Sequence, residues 1–208
     1  MSGAAGSDLR RHARQVVLPE VGVAGQQALA ASRVLIIGCG GLGSAASLYL
    51  AAAGVGTLHL MDRDRVEATN LQRQILYREA DIGRLKTEAA LATLGQLDSR
   101  LQLQAWPAAE SAEQWRAAVQ EVDLVLDCTD NFPSRFAINA ACVIARKPLV
   151  SGAAIRWEGQ VALFDTRQGS GCYACLYPDS GEVAEACEDA GVPGPVVGVI
   201  GSLQALLA

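Results

Sequence analysis

The sequence predicts an α/β fold: a doubly wound, mostly parallel sheet with helices on both faces, followed by a C-terminal strand and loop region. Three observations predict it. Short apolar runs alternate with helical stretches along most of the chain, the pattern of strands joined by crossover helices. The first run, Arg33 to Ile37, passes straight into Gly38-Cys39-Gly40-Gly41-Leu42-Gly43 and then into an alanine-rich segment. A carboxylate, Asp62, closes the second run 19 residues after Gly43. At 208 residues, half of them hydrophobic, the chain can bury a sizeable core and is expected to form one domain over residues 1–208.

Taken in order, Asp8 to Gln15 and Gly25 to Ala31 read as short helical pieces, the first carrying the basic cluster Arg10, Arg11, His12 and Arg14. Strand Arg33 to Ile37, helix Leu42 to Ala53 and strand Thr57 to Met61 make a right-handed βαβ unit, with Gly54 and Gly56 ending the helix. Arg84 to Leu97 is amphipathic by its Ala and Leu spacing, Leu101 to Ala105 is a strand, and a helix to Val119 follows the serine cap at Ser111. Leu124 to Cys128 is a buried strand, Ser134 to Arg146 a helix, Pro148 to Ser151 a strand and Gln160 to Phe164 another. Residues 169–195, rich in Gly, Pro and acidic side chains, form a long irregular segment, which in a compact domain marks function or disorder. Val196 to Ala208 begins an apolar helix without a terminating signal, so the C-terminus reads as truncated.

The glycine loop carries the chemistry. A strand feeding bare backbone N–H groups into a helix N-terminus is the Rossmann-like way to hold a polyphosphate, because no Cβ obstructs the approach and the helix dipole favours an anion. Asp62 is placed to accept hydrogen bonds from a ribose. This pattern alone does not separate a dinucleotide from ATP. A net charge of −5 argues against non-specific nucleic-acid or anionic-membrane binding. The chain has no apolar run of about 18 residues, and Met1 to Gly6 lacks the apolar core of a signal peptide; a cytoplasmic protein is expected.

Further features are Asp62-Arg63-Asp64, Asn70-Leu71-Gln72-Arg73-Gln74, Lys86 and Asp127-Cys128-Thr129-Asp130-Asn131. Asp130 follows a buried strand at the sheet edge where ligands bind, and its carboxylate suits Mg²⁺; its ordinary alternative is to cap the next helix. Lys86 stands in the first turn of a helix, where a cation opposes the dipole and an anionic partner is expected; the alternative is a surface lysine. Arg73 either clamps phosphate oxygens with its planar fork or snorkels along apolar surface.

In this order the motifs resemble the ubiquitin-activating-enzyme-like family that includes ThiF, MoeB and HesA. The likeness runs from Arg14-Gln15 through the glycine loop to Cys172-Tyr173-Ala174-Cys175 and Gly194-Pro195-Val196-Val197-Gly198. It implies an ATP-dependent adenylyltransferase that activates the C-terminal glycine of a small ubiquitin-like sulfur-carrier protein ending in Gly-Gly. The implied nucleotide pocket comprises Gly38, Gly40, Gly41, Gly43, Asp62, Asp64, Thr69, Asn70, Leu71, Gln72, Arg73, Lys86, Asp130 and Asn131. Within it Asp62 takes the ribose, Asn70, Arg73 and Lys86 the polyphosphate, and Asp130 organises Mg²⁺. Arg14 would act as an arginine finger across a homodimer interface. Thiamine and molybdopterin biosynthesis are both open: Ser151 to Arg156 with Glu158-Gly159-Gln160 is similar to MoeB, and Gly171 to Pro178 with Gly191 to Pro195 to ThiF.

Six cysteines without an export signal read as thiols, metal ligands or catalytic groups. Cys172 and Cys175 are half of a four-thiolate Zn²⁺ site whose second pair is absent here, although Zn²⁺ is expected in full-length relatives. Cys187 lies in the stretch that resembles the loop over the carrier's tail, and the resemblance implies a covalent link to the carrier as in some members of the family; its acidic neighbours would raise the thiol's pKa. Two other readings stand beside this one: an NAD-dependent oxidoreductase, which satisfies the glycines and Asp62 but leaves Arg73, Lys86 and Asp130 without a task, and a non-catalytic truncated nucleotide-binding module.

Overall fold

The computed structural model describes residues 10–177 and 191–208. Among these residues, six strands form one sheet: β1 (Arg33–Ile37), β2 (Thr57–Met61), β3 (Gln102–Trp106), β4 (Leu124–Asp127), β5 (Leu149–Ile155) and β6 (Glu158–Phe164). Their spatial order is β3-β2-β1-β4-β5-β6. The first five run parallel and β6 returns antiparallel to β5. Chain order therefore reverses between β1 and β4, which opens a crevice beyond their C-terminal ends, the place where open α/β sheets bind ligands.

The helices are α1 (Ala13–Val16), α2 (Gly22–Ala31), α3 (Gly41–Ala53), α4 (Lys86–Leu97), α5 (Ala112–Gln120), α6 (Phe132–Ala145), α7 (Tyr173–Leu176) and α8 (Gly194–Leu207). Alternate strand residues feed two separate cores. Val34, Ile36, Leu58, Leu60, Leu126 and Val150 pack with residues of α3, α4 and α8. Leu35, Ile37, Met61, Val125 and Leu149 pack with Val119 of α5 and Ile138, Ala141 and Cys142 of α6. Both faces being covered explains why these strands read as unbroken apolar runs.

Apart from the one-turn helix α7, which lies in the stretch read as irregular, the element order follows the sequence reading, and the differences in bounds have local causes. Helix α2 begins at Gly22, three residues before Gly25, where the chain turns at φ +56°. Helix α6 begins at Phe132 because Asn131 caps it, its Oδ1 accepting from Ser134 N–H at 3.0 Å. Strand β5 continues four residues beyond Ser151 through Gly152, Ala153 and Ala154, small residues of low strand propensity that the β6 hairpin pairs all the same. Ser111 caps α5 as expected, accepting from Gln114 N–H.

Helix α8 lies across α3 with almost no spacing: a Cβ on Gly201 would stand 2.3 Å from Leu42 O, and one on Gly41 2.6 Å from Val197. From α8, the fully buried Gln204 donates through Nε2 to Asp127 O at 2.8 Å and Val150 O at 3.3 Å. The C-terminal helix thus ties the end of β4, from which Asp130 departs, to the start of β5.

Candidate nucleotide-binding and catalytic site

The glycine loop sits at the reversal point. Gly38 N–H donates to Met61 O at the end of β2, and Cys128 N–H donates to Ile37 O at the end of β1. Two glycines are required here. Gly38 has φ +92°, and a Cβ on it would lie 2.7 Å from Cys128 O; a Cβ on Gly43 would lie 2.0 Å from Gly38 O. At Gly40 the nearest atom to a Cβ is Gln74 Nε2 at 3.7 Å, so space remains over the loop. Ser44 N–H donates to Gly40 O and begins the α3 ladder, leaving the amides of the preceding turn for an anion.

Asp62 braces this loop from below. Its Oδ2 accepts from Cys39 N–H at 2.7 Å and its Oδ1 from Asp64 N–H at 2.8 Å. A carboxylate has further acceptor positions, so both bonds are compatible with a ribose contact. Burial pushes the Asp62 carboxyl up, opposed by the Lys86 cation and by these two N–H bonds. Lys86, at the first position of α4, is buried, and its Nζ reaches Asp64 Oδ2 at 2.8 Å. The anionic partner that the sequence called for is Asp64, which is itself exposed.

The segment 68–77 lines the other side. Asn70 is buried and accepts from Glu67 N–H at 3.2 Å, so it also stabilises its own turn. Arg73 is half-buried and donates from Nη1 to Thr69 O at 3.1 Å, while Thr69 Oγ1 bonds Glu67. Leu71 packs against the core, and Gln72 O abuts the start of α8, only 2.7 Å from where a Cβ on Gly194 would stand. Gln74 is buried, and its Oε1 finds no partner among the described residues.

Asp130 projects from the end of β4 with its carboxylate exposed, accepting at 3.3 Å from Asn131 Nδ2. Capping of α6 falls to Asn131, so the ordinary alternative for Asp130 is taken by its neighbour. Its turn is built from a fully buried carboxylate: Asp127 accepts from Thr129 N–H (3.0 Å), Thr129 Oγ1 (2.7 Å) and Ser151 Oγ (3.2 Å), and the buried Arg135 donates to Thr129 O at 2.6 Å. Burial raises the Asp127 carboxyl, and the Arg135 cation opposes that shift. Sequence reasoning gave Asp127 only a place in a motif and missed Arg135, Gln204 and Tyr77. Their partners lie from six to 77 residues away, and a single sequence carries no trace of such pairings.

Arg14 is exposed on α1 and stands away from this crevice. The adjacent Gln15 donates to Ala53 O at the far end of α3, about 18 Å along that helix from Gly41 at 1.5 Å per residue. The Cys172 and Cys175 sulfurs are 3.8 Å apart. That matches the edge of a tetrahedral thiolate site, about 3.8 Å for Zn–S bonds near 2.3 Å. Among the described residues no group of three or more His, Cys, Asp or Glu side chains converges, so the pair alone does not make a zinc site. Cys187 lies outside the described residues. Cys39 is buried, and burial followed by the nearby Asp62 charge pushes its thiol well up; it is a packed side chain.

The sequence matches the ThiF family over residues 12–208. The chain belongs to that family. It is 49% identical over 201 residues to the sulfur carrier protein ThiS adenylyltransferase of Escherichia coli, covering 97% of this chain and 80% of that protein. It is 48% identical to the molybdopterin-synthase adenylyltransferase of the same organism, covering 97% and 81%. Against the mouse adenylyltransferase and sulfurtransferase MOCS3 the identity is 48%, over 96% of this chain and 44% of the longer protein. Among solved structures, E. coli MccB with ATP superposes with a TM-score of 0.75 at 29% identity, over 87% of this chain and 55% of that one. PaaA, at 22% identity and TM-score 0.79 over 96% of this chain and 64% of that one, shares the fold. No helix among the described residues is long and apolar enough to cross a membrane.

Proposed function

We propose that this ThiF-family chain is an ATP-dependent adenylyltransferase that activates the C-terminal glycine of a small sulfur-carrier protein; the names of two relatives, the sulfur carrier protein ThiS adenylyltransferase and the molybdopterin-synthase adenylyltransferase, support the adenylyl transfer. The observation that carries the reading is that the Gly38–Gly43 loop, at the reversal point, is linked through Asp62 and Asp64 to the buried Lys86 and packs at Gly38 against Cys128 and Thr129, which precede the exposed Asp130.

The chemistry asks little of acid and base groups. A C-terminal carboxylate, with an ordinary pKa near 3.5, is ionised at neutral pH and needs no general base. Its oxygen forms a bond to the α-phosphorus of ATP while the bond from that phosphorus to the bridging β-oxygen breaks. Pyrophosphate leaves with the electron pair, and an acyl-adenylate remains. Placement and charge neutralisation carry the step. The loop amides face phosphate oxygens; Lys86 exchanges Asp64 for a phosphate; Arg73, held near the crevice through Thr69, adds a second cation.

Asp130 fits a hard cation, being an exposed carboxylate beyond the end of β4. Mg²⁺, when bound, neutralises polyphosphate charge. The position of α1 at the far end of α3 supports a role for Arg14 on a second copy's site, which makes a homodimer the functional unit. With two cysteine sulfurs and no third ligand beside them among the described residues, no step is assigned to zinc. The test is Asp130→Ala: carrier-dependent ATP–pyrophosphate exchange should fall by at least about 100-fold, the scale of a lost charge-stabilising group, with an unchanged circular dichroism spectrum. Retained exchange would remove Asp130 from the mechanism.

A further inference from the structure

Tyr77 is buried, and its hydroxyl donates to Cys39 O at 2.7 Å, 38 residues back in the glycine loop. That carbonyl is the far side of a residue already fixed twice: Cys39 N–H is held by Asp62 and the Cys39 side chain is packed in the core. The consequence lies in the next peptide unit. The chain has no cis peptide among the described residues, and in a planar trans unit the C=O of Cys39 and the N–H of Gly40 point in opposite directions. Turning Cys39 O inward to the buried phenol therefore turns Gly40 N–H outward, over the part of the loop that a side chain at position 40 would meet only Gln74.

The same bond joins two segments. Tyr77 closes the run of turns that begins at Asn70, with Gln74 N–H donating to Asn70 O and Tyr77 N–H to Gln74 O. Through Tyr77, the stretch carrying Asn70 and Arg73 is fastened to the glycine loop. Burial, reinforced by the nearby Cys39 and by the carboxylates of Asp62, Asp81 and Asp64, pushes the phenol's ionisation far up, so it remains a donor throughout the working pH range.

We propose that Tyr77 is a positioning residue, whose hydroxyl fixes the Cys39–Gly40 peptide plane so that Gly40 N–H faces a phosphate oxygen of the nucleotide. The assignment rests on the nucleotide-activating reading above, and Tyr77 itself does not touch the substrate. Phe at this position keeps the ring and removes only the donor.

In Tyr77→Phe, calorimetric titration with Mg-ATP should show affinity weakened about 3- to 10-fold, the reach of one neutral hydrogen bond. Adenosine, which presents no phosphate, should bind the variant as it binds the wild type. Pyrophosphate exchange at saturating ATP should stay within about twofold, the signature of a binding effect realised equally before and during reaction. In the nucleotide-free protein, the Cys39 amide, bonded to Asp62, should exchange with deuterium faster in the variant while amides in the centre of α3 do not. Unchanged ATP affinity, or an equal loss for adenosine, would overturn the assignment. Failure of the wild-type protein to bind ATP would instead sink the adenylation reading, and the exchange measurement still decides whether Tyr77 holds the loop.

Discussion

Lys86 shows how one residue serves fold and chemistry in turn. Its ammonium is buried at the N-terminus of α4, against the helix dipole, and is kept there by Asp64 at 2.8 Å and the nearby Asp62 charge. A cation held in this way is ready for a phosphate at little further ordering cost, because its long side chain is already fixed. Lys86→Met keeps the apolar stem and removes the charge. ATP affinity should then fall about 10- to 100-fold, from the roughly 1.5–3 kcal/mol of a hydrogen bond to a charged group. Calorimetric titration checks this, and a variant that binds ATP as tightly as wild type would reduce Lys86 to a structural partner of Asp64. The two acidic neighbours explain why the residue was readable: a lysine in a first helical turn announces an anion, and the sequence supplied one without saying which.

At the scale of elements, the sheet was legible because its signals are local. A strand, a glycine turn and a helix follow each other from Arg33 to Ala53 without interruption, and the Ser111 cap and the Gly54 stop are written in adjacent residues. The β5–β6 hairpin was half-hidden, since Gly152 to Ala154 carry little strand preference and are held by pairing to Val161, Gln160 and Gly159. The support of Asp130 was not legible at all. Asp127, Thr129, Ser151, Arg135 and Gln204 converge from four elements, and only packing reveals that Gln204 reaches Asp127 O. Gln204→Leu takes the Nε2 donor from two buried carbonyls, Asp127 O at the end of β4 and Val150 O near the start of β5. It should cost about 1–3 kcal/mol of stability in urea unfolding and lower exchange activity more than Mg-ATP affinity, because Asp130 loses its fixed base. A stable variant with full activity would separate α8 from the site.

Across the whole molecule, acid sensitivity divides by sign. Asp98, at the end of α4, is bonded by Arg100 and lies 3.7 Å from Arg11 in the N-terminal segment; the Arg100 hydrogen bond holds its carboxyl well below the usual range. With the folded value depressed, its contribution is complete above the unfolded value of 3.8 and is lost as pH falls through the folded one. Asp62 and Asp127, raised by burial, act oppositely: their ionised forms disfavour the fold, and that penalty is relieved as pH falls through their folded values. The stability difference between wild type and Asp98→Asn should therefore be constant from about pH 5 to 7 and shrink below about pH 4. Urea unfolding at several pH values measures it, and a difference as large at pH 2 as at pH 7 would place the effect of Asp98 in packing.

The central claim is that the crevice at the β1–β4 reversal transfers an adenylyl group to a carrier's terminal carboxylate. The direct measurement is intact-protein mass spectrometry after incubation with ATP, Mg²⁺ and, separately, a ThiS-type and a MoaD-type carrier ending in Gly-Gly. One carrier should gain a single adenylyl group, removed by hydroxylamine and absent with Asp130→Ala. No mass change on either carrier, with both proteins folded and ATP present in excess, would contradict the account.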